Sequence, residues 1–187
     1  RFIADQDNVR AALVWLEREG DVTGLVRLSG AAAYFWHLRG DRREALTWLE
    51  RALAPTSPPD VALVSRGRAL YWAGMLSRNQ GDYERAIHHA RAHLRLAETA
   101  GHAGEQSRAL QILSYTALAQ GDYAQAATHA EDALTLMPHI GNPWDEAYLL
   151  CDLGMAKLGA GDSDGAMRVL ERALVIQEEI GDQFGTA

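Results

Sequence analysis

The stretch LQILSYTALAQGDYAQAATHAEDALTLMP, residues 110–138, decides the fold. After the break at Gly121-Asp122-Tyr123, the residues Ala126, Ala130, Ala133, Leu134 and Met137 fall at i, i+4, i+7, i+8 and i+11. That spacing marks one apolar face of a helix. A glycine just past a helix end takes the left-handed conformation that other residues resist, and an aspartate right after it can cap the next helix. Gly121-Asp122 therefore closes one helix and opens another, which makes a tight antiparallel hairpin. Pro138 is expected to end the second helix, since proline cannot continue it.

The same punctuation recurs on both sides. Gly81-Asp82-Tyr83, Gly121-Asp122-Tyr123 and Gly161-Asp162-Ser163 lie 40 residues apart, and Gly40-Asp41 precedes them by one period plus a residue. Gly101, Gly141 and Gly181 form a second set, offset by half a period. Asn142-Pro143 serves as cap and first helical position. Ala166, Leu170, Ala173 and Leu174 repeat the apolar pattern. Alanine at a helix contact lets two backbones approach closely. A helix of about 17 residues is roughly 25 Å long, and a lone pair of them buries little, so successive hairpins must stack. Nine helices are predicted, at about 7–19, 22–39, 42–54, 60–80, 83–100, 104–120, 123–137, 143–159 and 163–180. They form a single all-α repeat domain over 1–187: an N-terminal hairpin (1–39), repeat helices at 42–100, 104–137 and 143–180, and the start of a truncated further repeat at 181–187. Ala54-Pro55-Thr56-Ser57-Pro58-Pro59 reads as a longer turn within an unbroken repeat phase.

Composition narrows the function. Apolar residues make up 48% of the 187 and aromatics only 7%, with alanine and leucine dominant, which favours helix over strand. The net charge of −7, with Lys157 the only lysine beside 17 arginines, lacks the electrostatic footprint of nonspecific DNA or RNA binding. Residues 1–100 carry +2 and residues 101–187 carry −9. The acidic half either steers a basic partner or simply solvates helix faces. Cys151 alone excludes an internal disulfide. No apolar stretch approaches the roughly 20 residues of a membrane span, and Arg1-Phe2-Ile3-Ala4 is no signal peptide. The expectation is a cytoplasmic protein, represented by an excised fragment without an initiator methionine.

The run Leu110…Leu113-Ser114…Gly121-Asp122-Tyr123…Ala126…Ala130…Ala133…Pro138 resembles the tetratricopeptide repeat. So do Leu70…Ala73-Gly74…Gly81-Asp82-Tyr83…Ala86…Ala90 and Leu150…Leu153-Gly154…Gly161-Asp162…Ala166…Leu170…Ala173. The resemblance implies a right-handed superhelical solenoid, in which Gly74, Ser114 or Gly154 lets the two helices of a hairpin touch. His93 departs from the pattern, standing where Ala133 and Ala173 sit. The period of 40 also exceeds the usual 34. With ends such as Glu178-Glu179-Ile180-Gly181-Asp182, it is similar to the repeat regions of large bacterial signalling ATPases and transcriptional regulators of the LuxR and AfsR kinds. Asp7-Asn8-Val9-Arg10-Ala11-Ala12-Leu13-Val14-Trp15-Leu16 resembles the segment that opens those regions, as do Phe35-Trp36-His37-Leu38-Arg39-Gly40 and Ala45-Leu46-Thr47-Trp48-Leu49-Glu50-Arg51-Ala52-Leu53. In that family the array implies an input or partner-binding module that restrains upstream ATPase and winged-helix domains of the same parent chain. The chain itself has no G-x-x-x-x-G-K-[ST] phosphate loop and no basic recognition helix, so ATPase and DNA-binding functions do not carry over.

The first helix of each hairpin lines the concave face of such an array. Repeat positions place Tyr34, Arg68, Tyr71, Met75, Arg108, Gln111, Tyr115, Tyr148, Cys151, Asp152 and Met155 on or near it. Tyrosine with arginine is the mix of a recognition surface; the alternative is that several of these pack on the next hairpin. The basic clamp by which some arrays hold a C-terminal carboxylate is not recognisable. His89 and His93 have a spacing that can bind a metal, with His129 one period on, but nothing completes a site, so no metal or cofactor is expected. Met75 and Met155 suit an adaptable surface or core filling. Cys151 beside Asp152 lacks a histidine base in the sequence pattern and fits a small core residue. Trp15, Trp36, Trp48, Trp72 and Trp144 are expected to wedge between helices, the first three sealing the N-terminal hairpins or facing an upstream domain. The resulting expectation is a non-enzymatic scaffold for a protein or peptide, serving as the regulatory segment of a multidomain bacterial regulator. The alternative is a repeat domain that senses a small-molecule inducer.

Overall fold

The computed structural model describes residues 6–54 and 63–181. These residues form ten helices and no strand: α1 (Gln6–Glu19), α2 (Val22–Arg39), α3 (Arg42–Ala52), α4 (Leu63–Asn79), α5 (Tyr83–Thr99), α6 (Ala103–Gln120), α7 (Tyr123–Thr135), α8 (Met137–Ile140), α9 (Pro143–Gly159) and α10 (Ser163–Ile180). Nine of them stand where the apolar spacing puts them. The start of the fourth expected helix, the Pro55–Pro59 turn and residues 182–187 lie outside the described residues.

Glycines with φ between 63° and 88° stand at 20, 40, 81, 101, 121, 141, 161 and 181. Gly20 completes the half-period series at its N-terminal end. The aspartate after the glycine does two jobs. Asp122 donates its backbone N–H to the Ala117 carbonyl (2.9 Å), ending α6, while its carboxylate accepts from the Gln125 N–H (3.1 Å), starting α7. Asp82 and Asp162 act alike, towards Arg85 and Gly165. Asp41 differs: it makes no side-chain cap, and its carboxylate accepts from Gln6 Nε2 instead. Asn142 caps α9 through the Trp144 N–H, with Pro143 behind it. Pro138 does not end α7, which stops at Thr135; it lies in the first turn of the extra four-residue helix α8. Proline lacks only a donor that a first turn does not use.

The chain divides into two compact units, residues 1–96 and 97–187, with the division inside α5. In the first unit α2 packs on α1, α3 and α4, and α3 also packs on α4. Its core is built on Leu13, Val26, Ala33, Trp36, Leu49 and Leu76, all fully buried. Each buried valine or leucine among them stabilises the fold by about 1.5–3 kcal/mol relative to exposure. Arg10 of α1 grips Glu44 of α3 through two hydrogen bonds of 2.6 Å. That fork holds the Glu44 carboxyl below its ordinary range, against the opposing effect of burial. On α5, His93 is fully buried, filling the place that alanine takes in the later repeats.

In the second unit α6 packs on α7 and α9, α7 on α9, and α9 on α10. Ala126, Ala130 and Ala133 are fully buried along α7. Ser114 donates its hydroxyl to the Ala126 carbonyl at 2.9 Å, and a Cβ on Gly154 would lie 2.6 Å from the Leu170 side chain. These small residues therefore let hairpin helices touch, as expected. On α10, Leu170 and Leu174 are half exposed, together with Met167 and Val175, because α10 packs chiefly on α9. The tryptophans divide. Trp36 and Trp48 are buried and Trp72 is half buried, but Trp15 and Trp144 are 59% and 41% exposed.

Gly154→Val is expected to destabilise the protein by about 1–3 kcal/mol through overpacking against Leu170, read as a lower midpoint in urea. His89 supplies a pH-dependent test. Burial, with His88 and Arg85 nearby, pulls its imidazole from 6.5 down to about 4, against the weaker pull of Asp82. Below pH 6.5 the unfolded chain takes up a proton that the folded chain refuses until about pH 4, so stability falls over that window. The loss should reach about 1–3 kcal/mol after solvent screening. His89→Gln should flatten that part of the pH–stability curve while leaving the curve above pH 7 parallel.

Candidate functional site

In the first unit α2 and α4 run side by side in the same direction. Gly30 makes this possible: a Cβ there would come within 3.3 Å of the Ala69 backbone nitrogen. Above that contact stands an aromatic cluster. The Trp72 ring lies 5.7 Å from Tyr34, 5.6 Å from His37 and 5.5 Å, edge-on, from Tyr71. Below it, Gly24, Arg27, Leu28, Ala31, Ser65 and Arg68 line an open cleft of about 500 Å³. Of the expected residues, Tyr34 is 56% exposed, Arg68 is exposed, and Tyr71 and Met75 are half buried.

In the second unit the corresponding face belongs to α6 and α9. Gln111 donates a long hydrogen bond of 3.5 Å to the Tyr115 hydroxyl, one turn along α6. Arg108 bridges to Glu105 at 2.8 Å. On α9, Tyr148 and Met155 stand 45% and 60% exposed, with half-buried Cys151 between them. Asp152 departs from the expectation: it is buried, at 4% exposure. The repeat phase explains why, since 152 follows the fully buried Ile112 by one period. Burial, and then the nearby Asp152 carboxylate, push the Cys151 thiol up, so the thiolate that a nucleophile needs is disfavoured.

The exposed and half-buried residues of these faces occupy a few repeat columns. Arg68, Arg108 and Tyr148 share one, Tyr71, Gln111 and Cys151 a second, and Met75, Tyr115 and Met155 a third, all at intervals of 40. The earlier interval of 41 puts Tyr34 in the third column and Arg27 in the first. Arg27 is a site residue that the 40-residue interval alone does not reveal, because its own interval is 41. Trp72 was read only as a wedge, although it holds the aromatic cluster together. His89 and His93 complete no metal set; among the described residues no group of three His, Cys, Asp or Glu side chains could hold an ion. No described helix is long and apolar enough to cross a membrane.

Comparison with known proteins agrees with this geometry. A family profile described as tetratricopeptide repeat matches residues 26–51, 112–132 and 147–172, and a second profile of the same description matches residues 67–100. Among solved structures, the apo form of RapI superposes with a TM-score of 0.84 at 14% identity, covering 96% of this chain and 65% of that one. This chain thus spans just under two thirds of RapI's length. BtubC from P. vanneervenii gives 0.58 at 15% identity, over 94% of this chain and 91% of its own. MamA gives 0.59 at 15% identity, over 95% and 94%. At such identities the likeness is one of fold: tandem antiparallel helix hairpins. No curated protein sequence matches the chain.

Two substitutions separate scaffold from surface. Gly30→Val should force α2 and α4 apart and cost about 1–3 kcal/mol in thermal or urea unfolding. Tyr34→Ala, at an exposed position, should stay within about 0.5 kcal/mol of the parent.

Proposed function

We propose, from the premise that the chain belongs to the tetratricopeptide repeat family, that its first-helix faces bind a protein or peptide. The observation that carries this reading is the run of large exposed side chains in shared repeat columns. Tyr34, Tyr148 and Met155 each leave roughly half their surface in water and hold no core in place. Aromatic, arginine and methionine side chains on a pre-formed face are what interface centres use. Burial and the neighbouring Asp152 push the Cys151 thiol up, which disfavours it as a nucleophile.

The parent context we infer is a multidomain bacterial transcriptional regulator, acting in the cytoplasm, in which this segment restrains upstream ATPase and winged-helix domains. The support is sequence resemblance: Asp7–Leu16 resembles the segment that opens such repeat regions, and Phe35–Gly40 resembles a stretch typical of them. Occupancy of the faces by a partner would then be relayed by changing the restraint.

The test is capture of the parent's upstream domains by this chain, with Tyr148→Ala and Met155→Ala as probes. Wild-type capture, weakened about tenfold by either change, is the expected result. Capture unaffected by both moves the interface off the first helices and removes the reading of these faces. Absence of capture removes the regulator context.

A further inference from the structure

The first unit's face is set apart by its charge among the described first helices. Helices α2 and α4 hold Arg27, Arg39, Arg66, Arg68 and Arg78 and no aspartate or glutamate. The described acids of this unit lie on α1, α3 and α5 and in the turns, where several are engaged with arginines of those same helices. Arg10 meets Glu44 and Asp7, Arg51 meets Glu17, and Arg85 meets Glu50 and Asp82. Arg39 lies over the Phe35 ring. Arg27 and Arg68 have no acidic partner among the described residues, and both line the cleft between α2 and α4.

Resting on the binding role proposed above, we infer that this face takes an acidic peptide segment carrying an aromatic side chain. The carboxylates would lie against the Arg27 and Arg68 guanidiniums, which suit paired carboxylate oxygens better than a point charge does. The aromatic ring would pack beside Tyr34 on the Trp72 cluster, where offset and edge-on contacts are already the local geometry. Charge complementarity chooses this occupant. A basic segment would meet Arg27 and Arg68 with no acid on either helix, and a purely apolar one would leave the two guanidiniums to be desolvated unpaired. A nucleic acid fits less well, because affinity for phosphate backbones grows with the number of phosphates neutralised, and the chain as a whole carries −7. The corresponding face of the second unit differs, since α6 and α9 hold Glu105, Asp145, Glu146 and Asp152 beside Arg108 and Lys157.

The test is fluorescence polarisation with the intact chain and a fluorescein-labelled peptide alternating glutamate with phenylalanine. Its glutamine–phenylalanine counterpart and an oligouridylate serve as competitors. Binding of the acidic peptide should weaken at least about tenfold when salt rises from about 0.1 to 1 M, as the Debye length falls from about 10 to 3 Å. It should weaken about tenfold or more in Arg27→Glu/Arg68→Glu, and severalfold in Tyr34→Ala. Thermal melting checks that these variants, all at exposed positions, remain folded; Arg27→Gln/Arg68→Gln stands in if the double reversal does not. Equal binding of the glutamine peptide, binding indifferent to the arginine changes, stronger binding of oligouridylate, or no binding of the acidic peptide would each overturn the inference. Failure here with capture through α9 intact removes the acidic-peptide assignment alone. Loss of the α9 dependence with the peptide result intact would instead strike the wider reading.

Discussion

The turn at each Gly-Asp pair is the constraint on which the other features depend. A left-handed glycine reverses the chain within two residues, and the aspartate satisfies orphan backbone groups on both sides of the reversal. At Asp82, Asp122 and Asp162 one residue ends a helix through its N–H and begins the next through its carboxylate. No slack remains in such a turn, so the second helix must fold back along the first. Helix length then sets the repeat, because the reversals come every 20 residues or so.

Close packing follows from that closeness. Where two helices are joined by so short a turn, side chains at their contact must be small or precisely shaped. Alanine fills the buried stripe of α7, glycine at 154 admits the Leu170 side chain, and Ser114 replaces a van der Waals contact with a hydrogen bond to a facing carbonyl. His93 shows the limit of the pattern: a larger polar ring occupies an alanine place and is fully buried there. The neighbouring His89 reveals the cost of such burial, since its imidazole is held neutral far below its ordinary range.

Periodicity made the helices legible almost to the residue, because glycine, aspartate and alanine each have one dominant physical reason to recur. Departures fall where a single residue has a competing partner. Asp41 gives up its cap to Gln6, thirty-five residues away, a contact that no local rule predicts. Pro138 was read as a terminator, but a first-turn position tolerates it equally well. The site was legible by column rather than by residue type. Repeat position placed Asp152 on or near the concave face, whereas it is buried, in the column of the fully buried Ile112. Arg27 was missed because one extra residue shifts its interval from 40 to 41. Trp15 and Trp144 show that size alone does not decide burial; phase does.

The same division of labour explains where chemistry can collect. In the first unit α1 and α3 are tied by the Arg10–Glu44 fork, and α3 and α5 by the Arg85–Glu50 pair. Acids and arginines on those helices therefore serve partly to hold the array together. Helices α2 and α4 meet through Gly30 and Ala69, a contact that needs no charge at all. Arg27 and Arg68, on the cleft between them, are therefore open to being set by a partner. Two arginines facing one cleft beside an aromatic cluster are hard to account for by stability, since like charges brought together repel. A complementary occupant would offset that repulsion, which is why the arginines without acidic partners, more than any exposed apolar residue, identify what the face meets.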